Sequence, residues 1–447
     1  MRMTEFHSRV VIIGLGTSGL AAARLAAADG ARVLITDQRS EESIQEMVNE
    51  LPPGTQMTLG AHPPSLLDDA ETVILSPGVP LDLPLVLEAR RRGLLVLSEV
   101  EFAWRHRPSA PMVAVTGSNG KSTVTTLVAQ MMQTAGMSTV AGGNLGPPAS
   151  ELILDDLWQS WVLEISSFQS EALIDFRPRV GIFLNLSQDH VERHPDMAQY
   201  AQAKETLFAR QQPSDAAILN LDDDIVAATP TAARKLFFST SSPADASLIG
   251  DRLQIGNELL VQSGELQLSG RHNIANALAA SLAAQEMGVP LDAIQTTLRR
   301  FTGLPHRHRL VHEGNGVRWI DDSKATNVGA TIAALDGYPA RSVHLILGGL
   351  GKGQDFSLLA DPVSHTAAAV YLIGEDAPLI RRALGDVTSI KDCETLERAV
   401  EEARNQALPG QFILLAPACA SFDQFPNYGE RGEAFERLAT DGASSCR

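Results

Sequence analysis

Cysteine, positive charge and long apolar runs are all scarce in this sequence. Its 447 residues include three cysteines, Cys393, Cys419 and Cys446. They are too few and too scattered for a disulfide framework or a zinc cluster, and a reduced, cytoplasmic protein fits. Lysine and arginine number 36 against 53 acidic residues, a net charge of −17. Nucleic acid and anionic membrane surfaces require a basic face, so neither is expected as a partner. Anionic small molecules remain, because a site needs only a few local cations. No apolar run approaches the ~20 residues of a membrane span. The early run at residues 10–13 is too short for the core of a signal peptide. There is no short-period repeat and no low-complexity tail.

What is present is an alternation of strand-like and helix-like stretches. The chain exceeds one core, and two to four domains are expected. "RVVIIG", "RVLITD" and "TVILSPG" read as buried parallel strands separated by Ala-rich helical segments, a doubly wound α/β pattern. "RHRPSAPMVAVTG" interrupts it near Pro108 and Pro111. "SWVLEISS", "VGIFLNLS" and "DAAILNLDD" supply further strands. Residues 244–270 alternate briefly between apolar and polar and read as a β-meander; helices are expected near 274–287 and 291–300. "FTGLPHRHRL" punctuates the chain again, before "VRWIDDS", "SVHLILGG", "AAVYLIG" and "QFILLAP". The expected fold is α/β in three domains, with boundaries at 1–108, 109–304 and 305–447. The first is Rossmann-like, the second a P-loop-type ATPase domain carrying a small β-meander, the third Rossmann-like.

Two stretches have the form of phosphate-binding loops. In "VAVTGSNGKSTVTTL" a strand runs into Gly117, Ser118, Asn119 and Gly120, then Lys121, Ser122 and Thr123 open a helix. Backbone N–H groups and the positive end of the helix dipole suit phosphates. Lys121 would reach the outer phosphates, and Ser122 or Thr123 would bind Mg²⁺. The usual spacing asks for glycine at position 115, where Val115 stands. Earlier in the chain, Gly14, Gly16 and Gly19 follow a strand and open a helix, and Asp37 ends the next strand. That is the dinucleotide fingerprint, with a diphosphate on the helix N-terminus and Asp37 near a ribose or base. The fingerprint alone leaves a nicotinamide cofactor and a UDP-sugar both open.

Polar side chains gather after the later strands. Glu164 ends "SWVLE", where a carboxylate can hold the Mg²⁺ of ATP. Asp189 and His190 follow "FLNLSQ", and His190 is a candidate ligand for a second metal. Lys204 lies on a helix-like stretch and by itself reads as solvated. Arg307 can take phosphate bidentately. "IDDSKATNVGAT" crowds Asp322, Ser323, Lys324, Thr326 and Asn327 into one strand end, more polar groups than a helix cap needs. Lys352 sits in "LGGLGKGQDF" and Ser421 in "APACASFDQF". Together they give the third domain a partly cationic mouth for an anionic small substrate.

"TGSNGKST", "EISSFQ", "NLSQDH", "GRHNIANALAA", "GLPHRHRL" and "DDSKATN" resemble, in order and across the whole chain, the ATP-dependent Mur ligases of peptidoglycan synthesis. The "DSKATN" block resembles the D-glutamate-adding branch. The shortened phosphate loop with Thr116 is characteristic of that superfamily, so Val115 fits it. The resemblance implies ATP-dependent ligation of D-glutamate to UDP-N-acetylmuramoyl-L-alanine through an acyl phosphate, by a cytoplasmic monomer. The first loop would hold the UDP moiety, through Leu15, Gly16, Thr17, Ser18, Asp37, Arg39, Ser76 and Gly78. Asn144, Ser166 and His190 would line the reacting end of that substrate. The second loop would hold ATP and carry the chemistry. Lys121 would contact the phosphates; Ser122 or Thr123 and Glu164 would serve the first Mg²⁺, His190 the second. Lys204, carbamylated in this family, would support that second ion. Asn273, Asn276 and Arg307 would lie on the nucleotide side, Asp322, Lys324 and Thr326 near the ATP end and D-glutamate. Lys352, Ser421 and Tyr428 would hold the D-glutamate carboxylates. Two departures stand out: relatives often carry Phe at the place of Tyr428, and an acid where Leu350 stands.

The implied route has the alanyl carboxylate attack the γ-phosphate, then the neutral amine of D-glutamate displace phosphate, with His190 a candidate base. Ligands drawn from three domains imply closure around them. Other readings are a sister amino-acid ligase such as folylpolyglutamate synthetase, which lacks the first glycine-turn domain, an oxidoreductase with NAD on the Gly14 turn, and an NTPase switch that makes no bond.

Overall fold

The structure is a computed structural model that describes residues 9–155, 157–189, 193–194, 196–268 and 270–441. It divides into two compact units. One comprises residues 1–185, 200–263 and 276–299, the other residues 186–199, 264–275 and 300–447. Among the described residues no helix is long and apolar enough to cross a membrane.

The first unit carries two sheets. Five parallel strands stand in the order Gln56–Leu59, Arg32–Asp37, Arg9–Ile13, Ala70–Leu75, Leu95–Ser98. Their inner members carry buried apolar runs, residues 10–13 and 73–75, because both faces are covered there. The strand order reverses between Arg9–Ile13 and Ala70–Leu75, which opens a crevice at their C-terminal ends. The helix Thr17–Ala28 packs close there, and a Cβ at Gly19 would run into the carbonyl of Gly14.

The second sheet has nine strands. Met112–Thr116 lies between Val180–Phe183 and Ser160–Glu164, all parallel. The expected β-meander is present as the antiparallel strands Ala246–Ile249, Arg252–Ile255 and Glu258–Gln262. It extends the central sheet through parallel pairing with Arg234–Ser239. The helices after it are Arg271–Glu286 and Leu291–Arg300. Two buried acids join the parts of this unit. Glu101 accepts from the backbone N–H groups of Ile174, Asp175 and Phe176, and Glu99 from that of Ser150.

The second unit contains a six-stranded sheet in which Phe412–Leu415 lies between Val317–Asp321 and Val343–Gly348. Those three strands are parallel, so their C-terminal loops emerge together. The edge strand Arg309–Gly314 is antiparallel to Val317–Asp321.

Candidate active site

The Gly14 turn borders a cavity of about 690 Å³. Its wall includes Gly16, Thr17, Ser18, Asp37, Arg39, Ser76, Gly78 and Asn144. Leu15 is buried, and Ser166 caps the helix Ser167–Ser170, so neither side chain lines the cavity. Gln38, His62 and Gln169 do line it and are not singled out by the sequence. Gly14 adopts φ +91°, a conformation that suits glycine, and Ser76 Oγ donates to its carbonyl at 2.7 Å.

Asp37 is committed to protein. Its carboxylate accepts from Leu15 N at 2.8 Å and from Arg39 N, Nε and Nη2 at 2.9, 3.0 and 2.8 Å. Arg39 Nη2 also donates to the Leu15 carbonyl. Burial works to raise the acid's pKa, but the Arg39 and Leu15 hydrogen bonds outweigh it and hold Asp37 at about 2. The pair leaves the Arg39 guanidinium half exposed on the cavity wall. Neighbouring His62 is pulled below its usual value by burial, and its Nδ1 lies 2.8 Å from Thr36 Oγ.

The second loop is built between three strands. Gly117 and Gly120 hold φ +145° and +84°, and the helix Lys121–Thr134 begins directly after them. Asn185, just past Val180–Phe183, clamps the loop from the side. Its Oδ1 accepts from Asn119 N at 2.8 Å, its Nδ2 donates to Asn119 O at 3.0 Å, and its carbonyl accepts from Ser118 N. The sequence holds Asn185 in "NLSQDH" but gives no local sign of this role. Lys121 Nζ donates to the carbonyls of Gly117 and Ser118 at 3.0 and 2.8 Å. Asn276 packs on the loop so closely that a Cβ at Gly120 would strike its amide.

Ser122 Oγ donates to Glu164 Oε2 at 2.5 Å, and Asn144 Nδ2 donates to Glu164 Oε1 at 2.8 Å. Glu164 is 3% exposed and Thr123 is buried beside the same turn. A hydroxyl and a carboxylate at a phosphate loop form an all-oxygen donor set of the kind hard divalent ions take. Lys204 is not on a solvated face: it is 1% exposed, donates to Gly117 O at 2.8 Å and lies 4.4 Å from the centre of the Tyr200 ring. His190 lies outside the described residues.

The second unit brings together the loops of "DDSKATN", "GGLGKG" and "ACASFDQF". Asn327 caps the helix Val328–Leu335 and donates to Asp189 Oδ2 at 3.0 Å, while Lys352 Nζ stands 3.7 Å from Asp189 Oδ1. Lys324 Nζ lies 4.4 Å from the Tyr428 ring centre, a cation–π contact. Asp322 Oδ2 is 3.5 Å from His308 Nδ1. Ser421 and Asn273 are buried, Thr326 and Arg307 half-buried. Gln354 ties the loops together, accepting from Val328 N and donating to the carbonyls of Gly351 and Ala418. Leu350 joins Ala420 through two backbone hydrogen bonds of 2.9 Å, so its side chain is not needed to shape the turn. A carboxylate reaches the turn from elsewhere: Asp376 Oδ2 accepts from Gly351 N at 2.6 Å.

Comparison with known proteins gives three family matches: "Mur ligase MurD-like, N-terminal domain" at residues 8–98, "Mur ligase middle domain" at 115–284 and "Mur ligase, glutamate ligase domain" at 306–419. The chain is 44% identical to the UDP-N-acetylmuramoylalanine--D-glutamate ligase of Anaeromyxobacter dehalogenans, over 98% of each chain. It is 42% identical to that of Chromobacterium violaceum, over 97% of each. Among solved structures, MurF from Acinetobacter baumannii aligns with TM-score 0.63 at 17% identity, covering 96% of this chain and 93% of that one. A pseudomurein peptide ligase type C from Methanothermus fervidus aligns at 0.59 and 19%, covering 91% and 96%. Likeness at that identity speaks for the fold.

Proposed function

This chain belongs to the Mur ligase family, and on that premise we propose that it joins D-glutamate to UDP-N-acetylmuramoyl-L-alanine, converting ATP to ADP and phosphate. The observation that carries the reading is the pairing of two phosphate-binding turns of different build in one unit. The Gly14 turn opens on a cavity with a half-exposed arginine on its wall, whose partner Asp37 is taken up by Leu15 and Arg39. The Gly117 loop faces a buried carboxylate, a hydroxyl and two lysines. Diphosphate anchoring fits the first, phosphoryl transfer the second. The saturation of Asp37 by Leu15 and Arg39 weighs against NAD, whose ribose would need that carboxylate.

In this account the backbone N–H groups of the Gly117 loop cradle the ATP phosphates, and Asn185 keeps the loop in that shape. Lys121 exchanges its loop carbonyls for phosphate oxygens and offsets charge that builds on them. Ser122 and Glu164 would hold Mg²⁺, which when bound neutralises phosphate charge. Asn144 fixes the Glu164 carboxylate and sits on the cavity wall, between the two loops' duties. The alanyl carboxylate attacks the γ-phosphorus, ADP leaves, and the D-glutamate amine then displaces phosphate from the acyl phosphate. Lys324, Thr326, Lys352, Ser421 and Tyr428 are the residues assigned to D-glutamate, whose two carboxylates suit their cations and hydroxyls. Carbamylation of Lys204 would give a second Mg²⁺ an oxygen ligand where an ammonium would repel it. The carbamate nitrogen keeps one N–H for the Gly117 carbonyl. The reaction would run in the cytoplasm, where ATP is available.

Substrate labelled with ¹⁸O in the alanyl carboxylate tests the route. One labelled oxygen should appear in the released phosphate; unlabelled phosphate would rule out the acyl phosphate.

A further inference from the structure

The residues assigned to D-glutamate come from separate loops of the second unit, and one buried side chain touches their neighbours Ser323, Cys419 and Gly349 on three of those loops. Arg431, on the helix Tyr428–Asp441, is 1% exposed. Its Nε donates to Ser323 Oγ at 3.0 Å, and its Nη2 to the carbonyls of Ser323 and Cys419 at 2.9 and 3.1 Å. Ser323 Oγ in turn donates to the Tyr428 carbonyl at 2.8 Å. Nη1 is buried with no hydrogen-bond partner among the described residues, and a Cβ added to Gly349 would sit 3.3 Å from it. Gly349 holds φ +128°, so the Gly-rich turn carrying Lys352 closes over the guanidinium only with glycine there. The guanidinium therefore underlies the Lys324 and Thr326 loop, the Ser421 loop, the Lys352 turn and the start of the helix at Tyr428.

The second feature of Arg431 is its charge. No carboxylate lies within ion-pair distance of it among the described residues; Asp321 and Asp423 act only at longer range. Burial pulls its pKa down, to about 10, which leaves it cationic at neutral pH. A desolvated cation held only by a hydroxyl and neutral carbonyls is costly, and a neutral donor would tie the same loops more cheaply. The charge has a use if an anion arrives beside it.

We propose that Arg431 is a positioning residue for the amino-acid subsite: it sets the loops that hold D-glutamate, and its charge, met by Asp321 and Asp423 only at longer range, is further balanced when the dicarboxylate binds. The inference rests on the D-glutamate reading above. Arg431→Lys keeps the charge and loses the fork. It should raise KM for D-glutamate about 10- to 100-fold, the worth of charged hydrogen bonds, with KM for ATP and the UDP-substrate within about twofold. Ser323→Ala, which removes only the hydroxyl between Arg431 and Tyr428, should raise the same KM several-fold and leave the other two unchanged. A selective shift in Ser323→Ala suffices if Arg431→Lys does not fold. Unchanged D-glutamate KM in both variants overturns the proposal, as does a parallel rise of all three KM values with a lowered Tm. The wild-type chain run alongside separates the two failures: if it needs no D-glutamate, the function falls and this inference with it. If it needs D-glutamate and the variants behave as wild type, this inference alone falls.

Discussion

Ser122 donates its hydroxyl proton to Glu164 across 2.5 Å, joining the first turn of the phosphate-loop helix to the end of a neighbouring strand. Both groups are buried, and Asn144 occupies the other carboxylate oxygen. If they form a cation site for phosphoryl transfer, Glu164→Gln should lower kcat by about 100-fold or more while KM for the UDP-substrate stays within a few-fold. Raised Mg²⁺ should recover part of the loss. Full activity in Glu164→Gln, read by steady-state kinetics, would remove Glu164 from the chemistry.

Asn185 acts on the same loop without standing in it. Its side-chain amide makes two hydrogen bonds to Asn119 that Asn185→Ala deletes. The loop then loses its fixed shape, so KM for ATP should rise about 10-fold, the worth of one to two ordinary hydrogen bonds that hold it. Binding of the UDP-substrate, followed by calorimetry, should not change.

The Gly14 turn gives the mirror-image expectation. Asp37→Asn removes the charge that holds Arg39 and weakens the bond from Leu15 N. KM for the UDP-substrate should increase about 10-fold, with KM for ATP unchanged. A change in ATP affinity instead would exchange the roles of the two loops.

The sequence made some of this legible. "RVVII" and "VHLILG" are mostly apolar because their strands are buried on both faces, and they read directly as parallel strands. Thr139–Gly143 is a strand with two glycines and little apolar pattern. Its glycines are there because a Cβ at Gly142 would meet Leu152, and one at Gly143 the Glu164 backbone, which only the fold reveals. Gln56–Leu59 escapes notice because it is a short, half-exposed edge. The glycine turns and strand-end acids were readable since each motif is local. Asn185 and Arg431 were not: the first depends on Val180–Phe183 pairing with Met112–Thr116, the second on a helix some hundred residues beyond Ser323. Lys204 read as solvated because a lysine among helix formers usually is; here the Gly117 carbonyl and the Tyr200 ring enclose it.

Glu99 supplies a test of stability against pH. Burial raises its carboxyl from 4.5 to about 7, opposed in part by the hydrogen bond from Ser150 N. A group with a raised folded pKa contributes its full stability below 4.5 and loses it as pH climbs through about 7. Glu99→Gln removes the ionisation, so the variant should be more stable than the parent at pH 8 by about 1–3 kcal/mol. Its unfolding free energy should also vary less across the window. Parallel pH profiles for the two proteins would show that Glu99 does not titrate there.

We propose that the Gly117 loop uses ATP to join a specific amino acid to the substrate held at the Gly14 turn. Phosphate release from ATP, measured with UDP-N-acetylmuramoyl-L-alanine present and single amino acids added in turn, tests it most directly. Release that requires D-glutamate, and does not occur with L-glutamate or meso-diaminopimelate, is the predicted result. Release at the same rate with no amino acid added would contradict it.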